Sequence, residues 1–118
     1  MKYMLLIYQA ENAIPQDKLQ GCYDESAQLA RDLNSQGRLY SANPLKPPAT
    51  ATSIRPEGGK RIVTDGPFAE TREQLAGYFM IEAADLDEAV EIGKQVPGGA
   101  FGTVEVRPVH PLADLPTE

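Results

Sequence analysis

The residues best suited to chemistry lie in the middle of the chain, where a tight turn precedes a short charged segment. The turn reads Asp65-Gly66-Pro67-Phe68. The Asp65 carboxylate could accept hydrogen bonds from a ligand, and Gly66 lets a ligand approach the backbone closely. The alternative is a structural turn, in which Asp65 bonds backbone N–H groups two residues further on and Pro67 fixes the exit. The turn therefore makes Asp65 and Phe68 candidate ligand-binding residues, with the structural alternative left open.

The charged segment after the turn contains Glu70, Arg72 and Glu73. Arg72 could pair with an anionic substrate group through its planar guanidinium. Glu70 could act as a general base if burial raised its pKa. Exposed ion pairs are common and contribute little, so a solvated surface cluster is the alternative. Asp65 and Glu70 are thus the candidate catalytic residues, and Arg72 is a candidate ligand-binding residue.

A second charged pair lies near the end of the chain, in a predicted strand over residues 103–109. Val104 and Val106 alternate there with Glu105 and Arg107, so the two pairs lie on opposite faces of the strand. We expect the valines to face the helices and the charged pair to face a second subunit. Glu105 and Arg107 could line a polar ligand cavity there, or they could pair across an interface, because buried charges are tolerated only when paired.

Tyr78 and Cys22 are weaker candidates for functional residues. Tyr78 lies in a predicted central strand, where its phenol could orient a substrate, although most such tyrosines are core or interface residues with one satisfied hydroxyl. Cys22 occurs at helical spacing among apolar residues, which favours a buried, inert thiol over a nucleophile.

The sequence predicts no metal site and no cofactor. The single histidine, His110, stands near Asp114 in the C-terminal tail, and a catalytic zinc needs three protein ligands. The Gly58-Gly59 and Gly98-Gly99 pairs lack the motif of a phosphate-binding loop. No constellation of residues specifies a reaction, so whether the protein is an enzyme stays open.

Composition narrows the classes of partner. The 118-residue chain carries a formal net charge of −6 with scattered basic residues, which disfavours binding to nucleic acid and to anionic lipid surfaces. No apolar run has the length of a membrane span or the form of a signal peptide. The single cysteine excludes an internal disulfide and indicates a reducing compartment. We therefore expect a cytoplasmic protein.

The periodicity of apolar residues predicts six strands and two helices. A helix is expected over residues 16–36, ended by Gly37, and a second follows the capping-box pair Asp85 and Glu88. A Gly-Gly turn joins two β-prone pieces into a hairpin. The remaining strands are expected at residues 2–8, 38–42, 75–82 and 103–109. This order predicts a ferredoxin-like βαββαβ fold of the α+β class with an inserted β-hairpin.

Two of these strands, residues 4–8 and 75–82, are apolar on both faces. They occupy the central positions of the predicted sheet. Two helices cover only one face of a four-stranded sheet, so the second apolar face needs another cover. The pattern predicts a homodimer in which the sheets of two copies face each other.

The chain also resembles the YCII-related proteins of the DGPF type. The segments that carry the resemblance are MKYMLLIY at the start, PATATSIR from residue 48, VTDGPFAETREQL from residue 63 and VEVRPV from residue 104. The resemblance implies a dimeric α+β barrel. It assigns residues 1–110 to one domain and leaves residues 111–118 as a Pro-rich acidic tail.

The resemblance implies two functions of different classes. Barrels of this kind often enclose a cleft, which implies a homodimer that binds a small molecule in an inter-subunit or sheet-face cleft, with Asp65, Phe68, Arg72 and Tyr78 as candidates together with Glu105 and Arg107. Genes of the DGPF type often lie beside genes for extracytoplasmic-function sigma factors, which implies a non-catalytic partner module as the alternative. YCII proteins proper resemble enzymes with a His and Asp pair. This chain departs from that pattern because His110 lies in the tail.

Overall fold

A four-stranded antiparallel sheet forms the body of the protein. The computed structural model describes residues 1–113 and 115. Its elements in chain order are β1 (Lys2–Ala10), α1 (Gln16–Ser35), β2 (Leu39–Pro44), β3 (Thr52–Glu57), β4 (Lys60–Asp65), β5 (Glu73–Glu82), α2 (Leu86–Gly93) and β6 (Gly102–Pro108), with short 3₁₀ helices at Pro48–Thr50 and Pro97–Phe101. The sheet order is β2-β5-β1-β6, and β3 pairs with β4 alone. This arrangement confirms the predicted ferredoxin-like α+β fold with an inserted hairpin.

The hydrophobic core lies between the helices and one face of the sheet. Leu5 of β1 and Ile81 of β5 are completely inaccessible to solvent. They alternate with residues on the opposite face, as the pleat of a strand requires. The helices contribute Leu29 and Leu33 from α1 and Ile92 from α2. The two strands predicted to be central are therefore the strands that supply the centre of the core.

The opposite face of the sheet, here called the open face, is also apolar at its centre. Met4, Leu6 and Tyr8 of β1 and Met80 of β5 are half-buried although both helices pack on the other face. The two-sided apolar pattern of these strands is thus present in the structure. The dimeric barrel stays a prediction, because it concerns a second chain.

Local sequence signals position both helices. Gly37 adopts φ +71° after α1, and the Arg38 N–H donates to the Leu33 carbonyl at 2.8 Å, as expected for a glycine-terminated helix. At the start of α2 the Glu88 N–H donates to Asp85 Oδ1 at 2.9 Å, as the predicted cap requires. Within the described residues, neither helix has the length and apolar character that crossing a membrane demands.

The predicted hairpin, β3 with β4, is separate from the main sheet and is called the arm. Gly58 and Gly59 form its turn with φ of 56° and 79°, the positive angles that a two-residue type I′ turn needs. Two hydrogen bonds of 2.7 Å close its base, from the Gly66 N–H to the Ala51 carbonyl and from Ser53 Oγ to the Gly66 carbonyl. The predicted acidic tail, residues 111–118, lies partly outside the described residues. Asp114 is among the tail residues that lie outside them.

Replacing Gly21 with alanine is expected to stabilise the protein by about 0.5–1 kcal/mol, because glycine within a helix costs that much relative to alanine. Gly21 is exposed within α1, and a Cβ there would meet no atom within 4 Å. Urea unfolding followed by circular dichroism measures the change. The matched control is Gly37→Ala, which we expect to destabilise the protein because Gly37 has a positive φ. Equal effects of the two substitutions would contradict this account of α1.

Candidate functional site

The turn predicted to face a ligand lies at the base of the arm. Gly66 adopts φ +98°, a conformation that favours glycine, and the backbone bends there. Asp65 is exposed at the end of β4, opposite Thr52 of β3. The Phe68 side chain is 75% exposed. The turn therefore presents a carboxylate and an aromatic ring to solvent.

The charged segment runs from this turn to β5 and is mostly exposed. Glu70 and Arg72 are both exposed. A general-base role for Glu70 requires burial, and a single subunit does not bury this side chain. Gln74 anchors the segment by donating to the carbonyls of Ala69 at 3.0 Å and Thr71 at 3.1 Å.

The other predicted site residues lie on the open face. Tyr78, Leu6 and Glu105 form one row across β5, β1 and β6, since Leu6 pairs with both of the others. Arg107 pairs with Met4 in the neighbouring row. Glu105 and Arg107 are exposed, and the valines beside them pack toward the helices, as predicted. The candidates thus form two groups, one on the open face and one at the base of the arm.

Hydrogen bonds organise the β2 side of the open face. The Tyr78 hydroxyl lies 2.7 Å from Ser41 Oγ and accepts from Asn43 Nδ2 at 3.1 Å. Nearby, the Tyr40 hydroxyl donates to Glu82 Oε1 at 2.6 Å. A hydrogen bond from the amino group of Met1, and next the one from Tyr40, lower the pKa of the Glu82 carboxyl group. This side of the face therefore carries a network of polar groups around an ionised carboxylate.

A cavity that the sequence did not predict lies on the other side of the sheet, beneath α1. It encloses about 240 Å³. The sheet contributes Ile7, Ala42, Gly77 and Phe79, among others. The remaining lining residues come mainly from α1 and the loop before it: Ile14, Leu19, Cys22, Tyr23, Ser26, Ala27 and Ala30. None of the described residues that line the cavity is charged, and its polar side chains include Gln9, Ser26 and Tyr23. Asn43 and Tyr78 also border the cavity, although their side-chain polar groups bond each other on the open face. The lining is thus apolar with a few uncharged hydrogen-bonding groups.

Small residues on both walls explain why this space is not filled. Ser26, Ala27 and Ala30 have short side chains where α1 passes over the sheet. Gly77 has no side chain at a position on β5 that faces the helices, and a Cβ there would lie 3.0 Å from the Asn43 carbonyl oxygen. Glycine within a strand commonly marks such a close backbone approach. That glycine and the short residues of α1 were the sequence signals that could have indicated the cavity.

A groove of about 240 Å³ lies beside the cavity. The two spaces are neighbours, because they share Gln9, Ile14, Leu19, Tyr23 and Ala76 as lining residues. The groove also contacts Glu11 and Lys46. Charged side chains thus border the groove but not the cavity.

Cys22 lines the cavity and is 8% exposed, which confirms the predicted burial of its thiol. Burial raises the pKa of this thiol, the Glu25 carboxylate adds to the rise, and a hydrogen bond with Ser26 opposes it. The thiol is therefore protonated near neutral pH and acts as a small apolar wall group.

Nothing in the described part of the chain assembles a metal site. Residues 1–113 and 115 bring no three His, Cys, Asp or Glu side chains close enough together to hold a metal ion. His110 is exposed beyond β6.

Two comparisons relate the chain to known proteins. The family model described as YCII-related domain matches residues 1–113. An uncharacterized protein from Rhizobium meliloti (strain 1021) is 37% identical over 95 residues, which cover 73% of this chain and 77% of the relative. The match to the family model extends from β1 through β6 and thus includes the cavity, the open face and the arm. The chain belongs to the YCII-related family.

Proposed function

We propose that this protein binds a small, uncharged, largely apolar molecule in the cavity beneath α1. The observation that carries the proposal is a pre-formed apolar space whose described lining has no charge. Ligand pockets typically combine apolar walls with a few polar groups that orient the ligand. An apolar cavity of about 150 Å³ is already large enough for benzene. A space of about 240 Å³ suits a substituted ring, with Gln9, Ser26 or Tyr23 bonding its polar substituent.

Binding fits the site better than acid-base catalysis does. The carboxylates of Asp65 and Glu70 are exposed around the turn and do not line the cavity. Glu105 and Arg107 lie on the open face, on the opposite side of the sheet. A general acid or base must reach the reacting atom within hydrogen-bonding distance. The cavity therefore favours an uncharged ligand over the anionic ligand that Arg72 would bind.

The proposal includes a homodimer formed through the open face. The half-buried Met4, Leu6 and Met80 would be covered by the same residues of a second copy, which is how two-fold interfaces form. Closure of such a dimer would also bring Tyr78 and Glu105 into the inter-subunit space. A cytoplasmic location and membership of the DGPF type remain part of the proposal, supported by the single cysteine and by the Asp65-Gly66-Pro67-Phe68 turn.

Replacing Ala30 with leucine is expected to abolish ligand binding while leaving the fold intact. Ala30 lines the cavity from α1, so leucine would occupy space that a ligand needs. Extra methylenes in a filled core cost about 1–3 kcal/mol, whereas an unfilled cavity accepts them more cheaply. The probe is N-phenyl-1-naphthylamine, an uncharged aromatic amine whose fluorescence rises in apolar surroundings. We expect saturable binding by the wild type and at least about tenfold weaker binding by Ala30→Leu, equivalent to 1.4 kcal/mol.

The matched control is Ala113→Leu, the same change at an exposed position. Circular dichroism and thermal unfolding verify that each variant folds. A folded Ala30→Leu variant that binds the probe as tightly as the wild type would contradict the cavity as the ligand site. A wild type that shows no saturable binding would contradict the proposed function itself.

A second candidate function is binding to an extracytoplasmic-function sigma factor, as the resemblance implies. The acidity of the chain, with a net charge of −6, supports this candidate. Affinity capture of a cognate sigma factor from the native host tests it. Failure to recover any sigma factor, with the cavity binding the probe, would exclude this alternative.

A further inference from the structure

The arm has little internal support. All six residues of β4 and five of the six in β3 are exposed, and the two strands pair only with each other. An isolated two-stranded hairpin is marginally stable at best in water. The arm also makes the chain extended. The radius of gyration of the chain is 15.9 Å, which exceeds the roughly 13.5 Å of a compact domain of this length. A hairpin held away from its own domain in this way needs a cover from outside it.

The arm exposes an apolar pair on one of its faces. Ile54 of β3 and Val63 of β4 are direct cross-strand partners, so their side chains lie side by side. They are 62% and 64% exposed. Phe68, which follows the base of the arm, is 75% exposed. Clustered exposed apolar groups of this kind mark interaction surfaces more often than isolated ones do.

The charges of the arm identify the kind of partner. Three basic residues, Arg55, Lys60 and Arg61, outnumber the acidic Glu57 and Asp65 within it. Arg61 lies on the same face as Ile54 and Val63, and the other two basic residues lie on the opposite face. The whole chain nevertheless carries a net charge of −6, so its remaining surface is strongly acidic. Opposite charges across an interface favour association and select the partner. A second copy of this chain offers the acidic surface that the arm lacks.

We propose that the arm of each subunit binds the other subunit of the homodimer, packing the Ile54 and Val63 pair against it. This inference rests on the homodimer proposed above. The arm leaves the main sheet at the end of the edge strand β2, where Pro44 pairs with Gly77, and a copy seated on the open face would share that edge of the sheet. The arm then extends the interface beyond the sheet and gains the cover that a lone hairpin needs.

The double substitution Ile54→Ser/Val63→Ser tests the inference by sedimentation velocity over a range of protein concentrations. Loss of two interface apolar groups is expected to raise the dimer dissociation constant at least about tenfold. The matched control is Leu112→Ser, which removes a side chain that is 63% exposed outside the arm. Circular dichroism verifies that the main sheet still folds in each variant.

The outcomes separate this inference from the proposals on which it rests. A wild-type dimer that the double variant weakens, with Leu112→Ser unchanged, supports the arm as an interface. A wild-type dimer that the double variant leaves unchanged overturns the arm's role but not the homodimer. A wild-type monomer at micromolar concentration overturns both, while probe binding in the cavity is judged separately.

Salt dependence tests whether the charges of the arm contribute to dimer formation. The dimer dissociation constant of the wild type should rise with salt concentration, because exposed charges are screened. The variant Arg55→Gln/Arg61→Gln should show a flatter dependence on salt. Identical salt dependence in the wild type and this variant would overturn the electrostatic part of the inference.

Discussion

Replacing Leu5 with alanine should lower the free energy of unfolding by about 2–5 kcal/mol, the range for leucine-to-alanine changes in cores. Leu5 is completely inaccessible and lies at the centre of β1, between β5 and β6. Its side chain also packs near Gly93 of α2, where a Cβ would be 3.9 Å from Leu5 Cδ2. Paired strands on both sides and a helix above prevent the surroundings from collapsing into the space. The large expected cost follows from that rigidity.

Urea unfolding monitored by circular dichroism measures the loss. Leu112→Ala provides the control, since this leucine is 63% exposed and its truncation should change stability by less than about 0.5 kcal/mol. Similar stabilities for the two variants would mean that the described packing around β1 is wrong.

Replacing Gly102 with alanine should be at least as damaging, with a loss of about 3 kcal/mol or more, at the upper end of what overpacking costs. A Cβ on Gly102 would lie 2.0 Å from the Tyr8 carbonyl oxygen, far inside contact distance. That oxygen belongs to the backbone of the central strand β1 and cannot rotate away as a side chain can. The start of β6 must therefore separate from β1 at the Gln9 and Gly102 pair.

Two other glycines give a graded comparison for this prediction. A Cβ on Gly99 would lie 2.9 Å from Val104 Cγ2, a side-chain atom that can shift, so Gly99→Ala should cost less than Gly102→Ala. Gly21→Ala should stabilise the protein because its surroundings are open. Thermal unfolding should show Gly102→Ala as the least stable variant, Gly99→Ala as intermediate and Gly21→Ala as the most stable. A Gly102→Ala protein as stable as Gly21→Ala would contradict the pairing of β1 with β6.

Much of the fold was predictable because local signals and global architecture agree. The two-sided apolar runs identified β1 and β5 as the central strands. Gly37, Asp85 and the Gly58-Gly59 turn marked element ends through backbone geometry that few other residues satisfy. Pro44 ends β2 as the last residue of an edge strand, where proline is tolerated.

The candidate site was less predictable because it depends on how distant segments pack. Turn chemistry predicts a hairpin at Gly58-Gly59, but it carries no information on whether that hairpin joins the main sheet. The cavity arises where Ser26 and Ala30 of α1 pass over Gly77 of β5, and only the packing of the helix on the sheet brings those residues together. The sequence pattern favours charged side chains around Asp65, whereas the enclosed space is lined by uncharged ones.

The central claim is that a ligand binds beneath α1 and not on the open face. Methyl groups report the two locations separately: Ala27, Ala30 and Ala42 line the cavity, whereas Met4 and Met80 lie on the open face. Titration with indole, an uncharged aromatic ring, can be followed by methyl NMR of protein labelled at alanine and methionine. The account predicts saturable shifts at the three alanines with the two methionines unchanged. Shifts confined to Met4 and Met80 would contradict it.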